Sequence, residues 1–308
     1  MQQLVVGRLN DTLNACQKPL AYSTGATTLF APYAEAKGMT NVIVFPGNRV
    51  LSYPVHLVGL ADALEAVGGK WGRSGDVVSP QEEKKCEQKA SLVYGELHPE
   101  GVSKLLSREC ADASCADTLL DLGAGKGRLI LQAFLTFPNL KKAIGVEFSP
   151  SRFKSAVEAM MLMATLNPHL FVYTCVRYSS GVEIAQLETR DTSKRVMQMR
   201  LDDLFNYADI GSADIIICET DIPIQRRTEL SSKLTKLKLG ARLILYHSLY
   251  TLPCTFAIKP PASSDAKTSS VQIGNAISSA TFTRNTHTAL FRTSWTPQYP
   301  IQIWHKTT

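Results

Sequence analysis

The run Thr118-Leu-Leu-Asp-Leu-Gly-Ala-Gly-Lys-Gly-Arg-Leu-Ile-Leu-Gln132 gives the clearest structural signal in this sequence. It begins as a short apolar strand, passes through three glycines within five positions, and continues with residues typical of a helix. Glycine permits positive φ and lets a backbone approach a ligand closely. A helix that begins directly behind such a turn offers free N–H groups to an anionic group. The run therefore predicts a strand–turn–helix unit that binds a ligand, with a tight turn that binds nothing as the alternative.

The spacing of these glycines excludes one common cofactor. A nicotinamide-binding turn needs glycines at relative positions one, three and six, and the sixth position here is Arg128. Instead the pattern is Asp-x-Gly-x-Gly-x-Gly, and a second acid, Glu147, ends the next short apolar run 26 residues after Asp121. The pattern resembles motif I of the class I S-adenosylmethionine-dependent methyltransferases. In those enzymes the glycines pass beneath the methionine part, and the acid of the next strand holds the ribose hydroxyls.

Composition is that of an ordinary globular protein. Of the 308 residues, 44% are hydrophobic and 19% are charged. No apolar run approaches the ~18 residues that a membrane span needs, so we expect no membrane partner. The seven cysteines lack the spacing of a metal site, which suggests reduced thiols inside a cell.

Charge is distributed unevenly along the chain, whose formal net charge is +6. Residues 222–308 contain 11 Lys and Arg against two acids, whereas residues 1–221 contain 22 Lys and Arg against 25 acids. A basic half beside a neutral or acidic half predicts a polyanionic partner, such as nucleosomal DNA. A solvated basic surface without a partner is the alternative.

The pattern downstream of the glycine turn alternates between strands and helices. Strands are predicted at 143–147, 196–201, 213–218 and 243–246, with helices at about 151–165 and 224–238, and residues 176–194 are predicted to be an inserted loop or short helix. Such alternation favours a parallel, doubly wound α/β sheet.

A change in composition predicts two domains. Four glycines make 66–78 a candidate flexible joint. Ser79-Pro-Gln-Glu82 then has the N-cap, first-turn proline and capping-box acid that begin a helix. The expected organisation is an N-terminal accessory region, residues 1–78, and a catalytic domain, residues 79–308.

Five further segments resemble a single family. They are Val93-Tyr-Gly-Glu96, Gly145-Val-Glu147, Asp203-Leu204, Lys236–Ile244 and Ser294-Trp-Thr-Pro297. In this order, together with the glycine turn, they resemble the non-SET histone-lysine methyltransferases of the disruptor-of-telomeric-silencing family. The resemblance implies a class I methyltransferase (Rossmann-like) fold with a mostly parallel seven-stranded sheet. It also implies a nuclear enzyme that transfers methyl groups from S-adenosylmethionine, leaving S-adenosylhomocysteine, to a lysine in the globular region of nucleosomal histone H3.

The resemblance assigns roles to individual residues. It implies that Glu96 contacts the methionine amino group or orders the loop above it, that Glu147 binds the ribose, and that Asp203 and Leu204 contact the adenine. Trp295 would wall the channel for the target lysine, unless it is a core tryptophan of a C-terminal strand. The implied cofactor-binding set is Tyr94, Glu96, Asp121, Gly123, Gly125, Gln132, Glu147, Asp203 and Leu204.

Three departures from the family pattern concern the acceptor side and the glycine turn. Glu219-Thr-Asp-Ile-Pro223 stands where the family has Asn-Asn-Phe-x-Phe, Arg128 replaces a glutamine, and Gln302 replaces a channel tyrosine. Glu219 is a candidate catalytic group that pairs with the incoming ammonium or accepts its proton; a solvated acid at a strand end is the alternative. A methyltransferase acting on RNA or a small molecule, and a non-catalytic chromatin-binding module, stay open as other functions.

Overall fold

A computed structural model describes residues 42–47, 49–52, 59–86, 91–245, 252, 257–259, 281–284, 289–296 and 299–307. Strands β1 (Val42–Phe45) and β2 (Arg49–Ser52) form a separate antiparallel hairpin. The remaining strands are β3 (Thr118–Leu122), β4 (Lys142–Glu147), β5 (Phe171–Arg177), β6 (Glu183–Thr189), β7 (Val196–Leu201), β8 (Ile215–Cys218), β9 (Arg242–Leu245), β10 (Ala257–Lys259), β11 (Thr281–Arg284), β12 (Ala289–Phe291) and β13 (Tyr299–Lys306). The helices are α1 (Leu60–Gly68), α2 (Pro80–Cys86), α3 (Pro99–Leu105), α4 (Arg128–Thr136), α5 (Pro150–Leu166) and α6 (Arg227–Leu234).

The central sheet has the order β10-β11-β13-β9-β8-β3-β4-β7-β6-β5, with β12 paired to β13. Its middle, from β9 to β7, is entirely parallel, as the alternation of strands and helices predicted. Both flanks contain antiparallel pairs. The α/β class I fold is therefore confirmed, and with eleven strands in the described part of the chain the sheet is larger than the seven expected.

One local prediction is wrong. The segment 176–194, expected to be a loop or short helix, contains the end of β5 and the whole of β6, which pair as an antiparallel hairpin. Residues 174–177 of β5 are exposed whichever face of the strand they occupy. Because no alternate burial constrains these residues, they show no alternation of apolar and polar side chains from which to predict a strand. Strand β6 does alternate, with Ala185 and Leu187 buried, and this pattern was overlooked.

Helices cover both faces of the sheet. Leu119 of β3 packs into one hydrophobic cluster, while its neighbours Leu120 and Leu122 pack into the other, because successive side chains of a strand point to opposite faces. Helix α5, predicted at 151–165, buries Phe153 and Met160 in the first cluster. Within the residues described, no helix combines the length and the apolar character that crossing a bilayer demands.

This topology brings acidic side chains together. The carboxyl ends of β3, β4 and β8 lie side by side at one edge of the parallel sheet. Asp121 lies near the end of β3, Glu147 ends β4, and Glu219 follows β8 directly. Ligands of open α/β sheets bind at this edge.

Candidate cofactor and acceptor site

A cleft of about 360 Å³ opens at the carboxyl edge of the sheet. Every predicted site residue except Gln132 lines it: Tyr94, Glu96, Asp121, Gly123, Gly125, Glu147, Asp203, Leu204, Glu219 and Trp295. Gln132 lies one helical turn after Arg128, the first residue of α4. Its amide donates to the carbonyl oxygen of Pro99 (2.8 Å) and to Ser103 Oγ (3.0 Å). Gln132 therefore joins two helices and does not line the cleft, which corrects its assignment as a cofactor ligand.

The glycine turn forms a cradle that side chains would fill. Gly123 and Gly125 have φ of 97° and 56°, values that favour glycine. A Cβ atom on Gly123 would lie 2.8 Å from the Cβ of Thr220, and one on Gly125 would lie 3.0 Å from the ring of Tyr94. The turn is anchored to β4 because the N–H of Gly123 donates to the carbonyl oxygen of Val146 (2.8 Å). Without side chains at these two positions, the backbone itself lines the cleft, so a ligand can approach it closely.

Glu147 is fixed beneath this cradle. Its Oε2 accepts from the N–H of Gly125 and its Oε1 from the N–H of Ser149, both at 2.7 Å. The side chain is buried, which raises the pKa of its carboxyl, while the charge of Arg152 and the backbone donors lower it in part. Each carboxylate oxygen can accept a second hydrogen bond, so Glu147 can still receive ligand hydroxyls.

Two further carboxyls give the cleft an acidic floor. Burial, together with the charge of Glu147, raises the pKa of Asp121 to about 7. Burial and the charge of Asp121 raise the pKa of Glu219 to about 8. Glu219 is partly exposed as a residue, yet its Oε1 is buried and has no hydrogen-bond partner among the described residues. Such a floor favours cationic groups, so the residues present fit S-adenosylmethionine, which carries a sulfonium and an ammonium.

Glu96 ties together four segments around the cleft. Its Oε1 accepts from the hydroxyl of Tyr94 (2.7 Å), and its Oε2 accepts from the N–H of Gly72 (2.8 Å) and from Arg128 Nη1 (2.8 Å). Its own N–H donates to Ser294 Oγ at 3.0 Å. With protein donors on both oxygens, the arrangement favours the second of the two predicted roles, in which Glu96 orders the loop above the ligand.

Residues 68–76, which we call the strap, are held against the glycine turn by cations. Arg128 Nη2 donates to the carbonyl oxygens of Gly68, Gly69 and Lys70, and its guanidinium lies 4.0 Å from the ring centroid of Trp71. Lys126 Nζ donates to the carbonyl oxygens of Lys70 (2.8 Å) and Gly75 (3.1 Å). Because the strap precedes the predicted boundary at residue 78, part of the accessory region contacts the cofactor loop. The boundary itself stays a prediction.

The part of the cleft around Asp203 and Leu204, which were predicted to contact adenine, includes Phe205 and Arg226, which were not among the predicted cofactor-binding residues. Asp203 Oδ1 accepts from the N–H of Phe205 (3.0 Å), and Oδ2 accepts from Arg226 Nη1 (2.7 Å). The Arg226 guanidinium also lies 3.8 Å from the ring centroid of Phe205. An aromatic residue directly after Asp203-Leu204 was the available signal for Phe205, whereas the distant Arg226 had none.

Trp295 lies at the mouth of the cleft. Its side chain is 48% exposed, which excludes the alternative of a core tryptophan. Its ring meets that of Tyr299 edge to face, with centroids 5.1 Å apart. It also lies so close to Gly95 that a Cβ there would collide with the ring. Gln302, the other acceptor-side departure, pairs with Leu245 across β13 and β9 and does not line the cleft.

Comparison with known protein families gives one match. The family described as histone methylation protein DOT1 matches residues 76–272, which is more than half of the chain. No curated protein matches by sequence.

Three solved structures that resemble this chain are described as methyltransferases. A geranyl diphosphate methyltransferase in complex with GPP and sinefungin has 14% identity and a TM-score of 0.30, over 48% of this chain and 44% of the other. A putative methyltransferase, yhhF, from Escherichia coli has 11% identity and a TM-score of 0.37, over 87% of this chain and 99% of the other. An SAM-dependent O-methyltransferase from Thermotoga maritima has 16% identity and a TM-score of 0.31, over 55% and 50%. The chain thus spans less than half of the first of these proteins, and likeness at this level supports no functional conclusion.

The match over residues 76–272 is therefore sufficient to identify the family, and the structural neighbours are not needed for this conclusion. S-adenosylmethionine is the cofactor, and the glycine cradle and acidic floor are the groups that would hold it. The chain belongs to the DOT1 family of histone methylation proteins.

Proposed function

We propose that this protein is a histone-lysine N-methyltransferase whose target is a lysine in the globular region of nucleosomal histone H3. One observation supports the proposal most directly: a single cleft contains the glycine cradle, the unpartnered carboxylate oxygen of Glu219 and the half-exposed ring of Trp295. A cofactor side and an acceptor side thus meet in one cavity. Family membership supplies the substrate class.

Within this proposal, Glu219 and Trp295 prepare the acceptor nitrogen. When bound, the cofactor supplies an electrophilic methyl group on a sulfonium. A free lysine has a pKa of about 10.4 and is protonated at neutral pH, so its nitrogen must lose a proton before its lone pair can form a bond. Trp295 would remove water from the lysine stem and lower the pKa of its ammonium, and Glu219 Oε1 would accept the released proton.

Nucleosomal DNA is the second partner in this proposal, and the nucleus the compartment. Several of the cations on and beside α6 are engaged within the protein: Arg226 with Asp203, Lys238 with Asp214, and Lys233 with the carbonyl oxygen of Tyr207. Lys236 is exposed. Because few of these charges are available to release counterions, we expect nucleosome binding to weaken with salt less steeply than the count of basic residues suggests.

A labelling experiment separates this function from its alternatives. Purified protein and methyl-labelled S-adenosylmethionine are incubated in parallel with nucleosomes, free core histones and total RNA. Label on histone H3 in nucleosomes, above that on free histone, supports the proposal, whereas equal labelling of free histone contradicts the nucleosome requirement. Label on RNA would favour a nucleic-acid methyltransferase, and cofactor binding without any transfer would favour a chromatin-binding module.

The role of Glu219 needs its own measurement. Glu219→Gln should reduce turnover at least about tenfold while changing cofactor affinity little, because it removes the proton acceptor and keeps the side chain's shape. Glu188→Gln, which neutralises a half-exposed acid of β6 that pairs with Lys194 and does not line the cleft, is the control. Equal turnover in the Glu219 variant and the control would remove Glu219 from the mechanism.

A further inference from the structure

Arg73 lies in the strap and also lines the cleft. It belongs to a short 3-10 turn, Gly72–Gly75, that is fixed at both ends. The N–H of Gly72 donates to Glu96 Oε2, and the carbonyl oxygen of Gly75 accepts from Lys126 Nζ. A Cβ on Gly72 would also approach the side chain of Ser294 to 2.8 Å, so the turn is seated closely against the C-terminal segment. The backbone that carries Arg73 is therefore positioned by contacts that do not involve its side chain.

The charges that line the cleft distinguish Arg73 from its neighbours. Among the described residues, four guanidinium groups line it, and three of them are paired with acids of the protein: Arg128 with Glu96, Arg152 with Asp76, and Arg226 with Asp203. The side chain of Arg73 is exposed and makes no hydrogen bond or ion pair with the residues that the structure describes. Arg73 is thus the guanidinium of the cleft lining that is available to a ligand.

The cofactor has one group that the acidic floor cannot accommodate. Its sulfonium, ammonium and ribose hydroxyls suit the carboxyls of Asp121 and Glu147, but its own carboxylate would be repelled by these carboxyls and by Glu219 wherever they are ionised. An arginine offers two parallel N–H donors that match a carboxylate, and it stays charged at every working pH. We propose that Arg73 binds the carboxylate of the methionine part of S-adenosylmethionine.

This assignment gives the strap a function. Arg73 lies before residue 79, where the predicted catalytic domain begins, and before residue 76, where the family match begins. The cations Lys126 and Arg128 of the glycine turn hold the strap in place, and the strap in return supplies the anion-binding group. Part of the N-terminal region therefore completes the cofactor site.

Calorimetry with two ligands tests the proposal without measuring activity. S-adenosylhomocysteine has the carboxylate, and its decarboxylated analogue lacks it. Arg73→Gln should weaken binding of S-adenosylhomocysteine by about 10- to 100-fold, the loss typical of one charge-assisted hydrogen bond, and should leave binding of the analogue unchanged. Arg73→Lys should fall between, because it keeps the charge and loses the paired donors.

Lys70→Gln is the matched control, since it removes one positive charge from the same strap at an exposed position that does not line the cleft. Thermal melting of each variant checks that the fold is kept. Unchanged affinity of Arg73→Gln for S-adenosylhomocysteine, or an equal loss for both ligands, would overturn the assignment while the cofactor and the proposed function stand. If the unsubstituted protein bound neither ligand, the cofactor and every conclusion that depends on it would be overturned as well.

Discussion

Replacement of Arg128 by methionine tests whether the strap is held by a buried ion pair. Methionine keeps much of the length of the side chain and removes every donor. The variant leaves the Glu96 carboxylate, whose side chain is 9% exposed, without its cation. It also removes the donor shared by the carbonyl oxygens of Gly68, Gly69 and Lys70.

The expected cost follows from these contacts. Removing one partner of a buried ion pair typically destabilises a protein by about 3–5 kcal/mol, because the other charge stays buried without compensation. Glu96 keeps the hydroxyl of Tyr94 and the N–H of Gly72 as donors, and the strap carbonyls can turn to water. We therefore expect a decrease in the free energy of unfolding near the lower limit, about 3 kcal/mol.

Urea unfolding followed by circular dichroism gives this free energy. The matched control is Lys141→Met, because Lys141 and Asp117 form a pair of similar length whose side chains are 67% and 62% exposed. An exposed pair contributes about 0–1 kcal/mol. Glu96→Gln combined with Arg128→Met should be less destabilising than the sum of the two single changes by about 1–3 kcal/mol. Equal effects of Arg128→Met and Lys141→Met, or simple additivity, would refute the reasoning.

Three further predictions concern the cleft. Glu147→Gln should weaken binding of S-adenosylmethionine at least about tenfold, as measured by calorimetry. The neutral amide would place its N–H₂ group against one of the two backbone N–H groups from which the carboxylate now accepts hydrogen bonds. Unchanged affinity would contradict the role of Glu147. Trp295→Ala should reduce turnover on nucleosomes at least about tenfold with little change in cofactor affinity. Trp295→Phe should keep part of the turnover, since an aromatic wall still desolvates the acceptor lysine. Equal turnover of the two variants would count against a role for the aromatic ring. Glu219→Gln should increase the free energy of unfolding of the unliganded protein. This increase should be absent below about pH 4.5 and should grow as the pH rises toward about 8, because the raised pKa means that ionised Glu219 destabilises the folded state. A stabilisation that does not depend on pH in thermal melting would refute the prediction.

Local sequence patterns were sufficient to predict the centre of the sheet. Strand β8 consists of four buried residues, Ile215–Cys218, and β3 is buried from Leu119 onward, so both appear as continuous apolar runs. The N-cap of α2 was also predicted correctly, since the N–H of Glu82 donates to Ser79 Oγ at 3.2 Å. The capping box was not, because the Glu82 carboxylate accepts from the hydroxyls of Ser149 and Ser151 instead. The hairpin of β5 and β6 was missed because its outer strand is exposed and lacks the burial that produces a readable pattern.

The cleft could be predicted only where its residues belong to motifs. Arg128 was recognised as a departure from the family, but its role depends on backbone carbonyls of residues 68–70, and such acceptors have no sequence signature. Gln132 was placed in the site by the family resemblance, as a residue that follows the glycine turn on the helix, and it lies four positions after Arg128. One helical turn is about 5.4 Å, and this distance moves Gln132 from the cleft to the contact with α3.

The acidic residue at the end of β8 changes the electrostatics of the whole cleft. Asp121, Glu147 and Glu219 end or follow three neighbouring strands, and burial raises the pKa of each carboxyl. Their mutual repulsion is unfavourable in the free protein. A neutral asparagine, which the family has at position 219, would relieve part of this repulsion and would also remove the only carboxylate with an unpartnered buried oxygen among the described residues. A positive group of the ligand or of the acceptor beside the unpartnered oxygen of Glu219 would offset this cost.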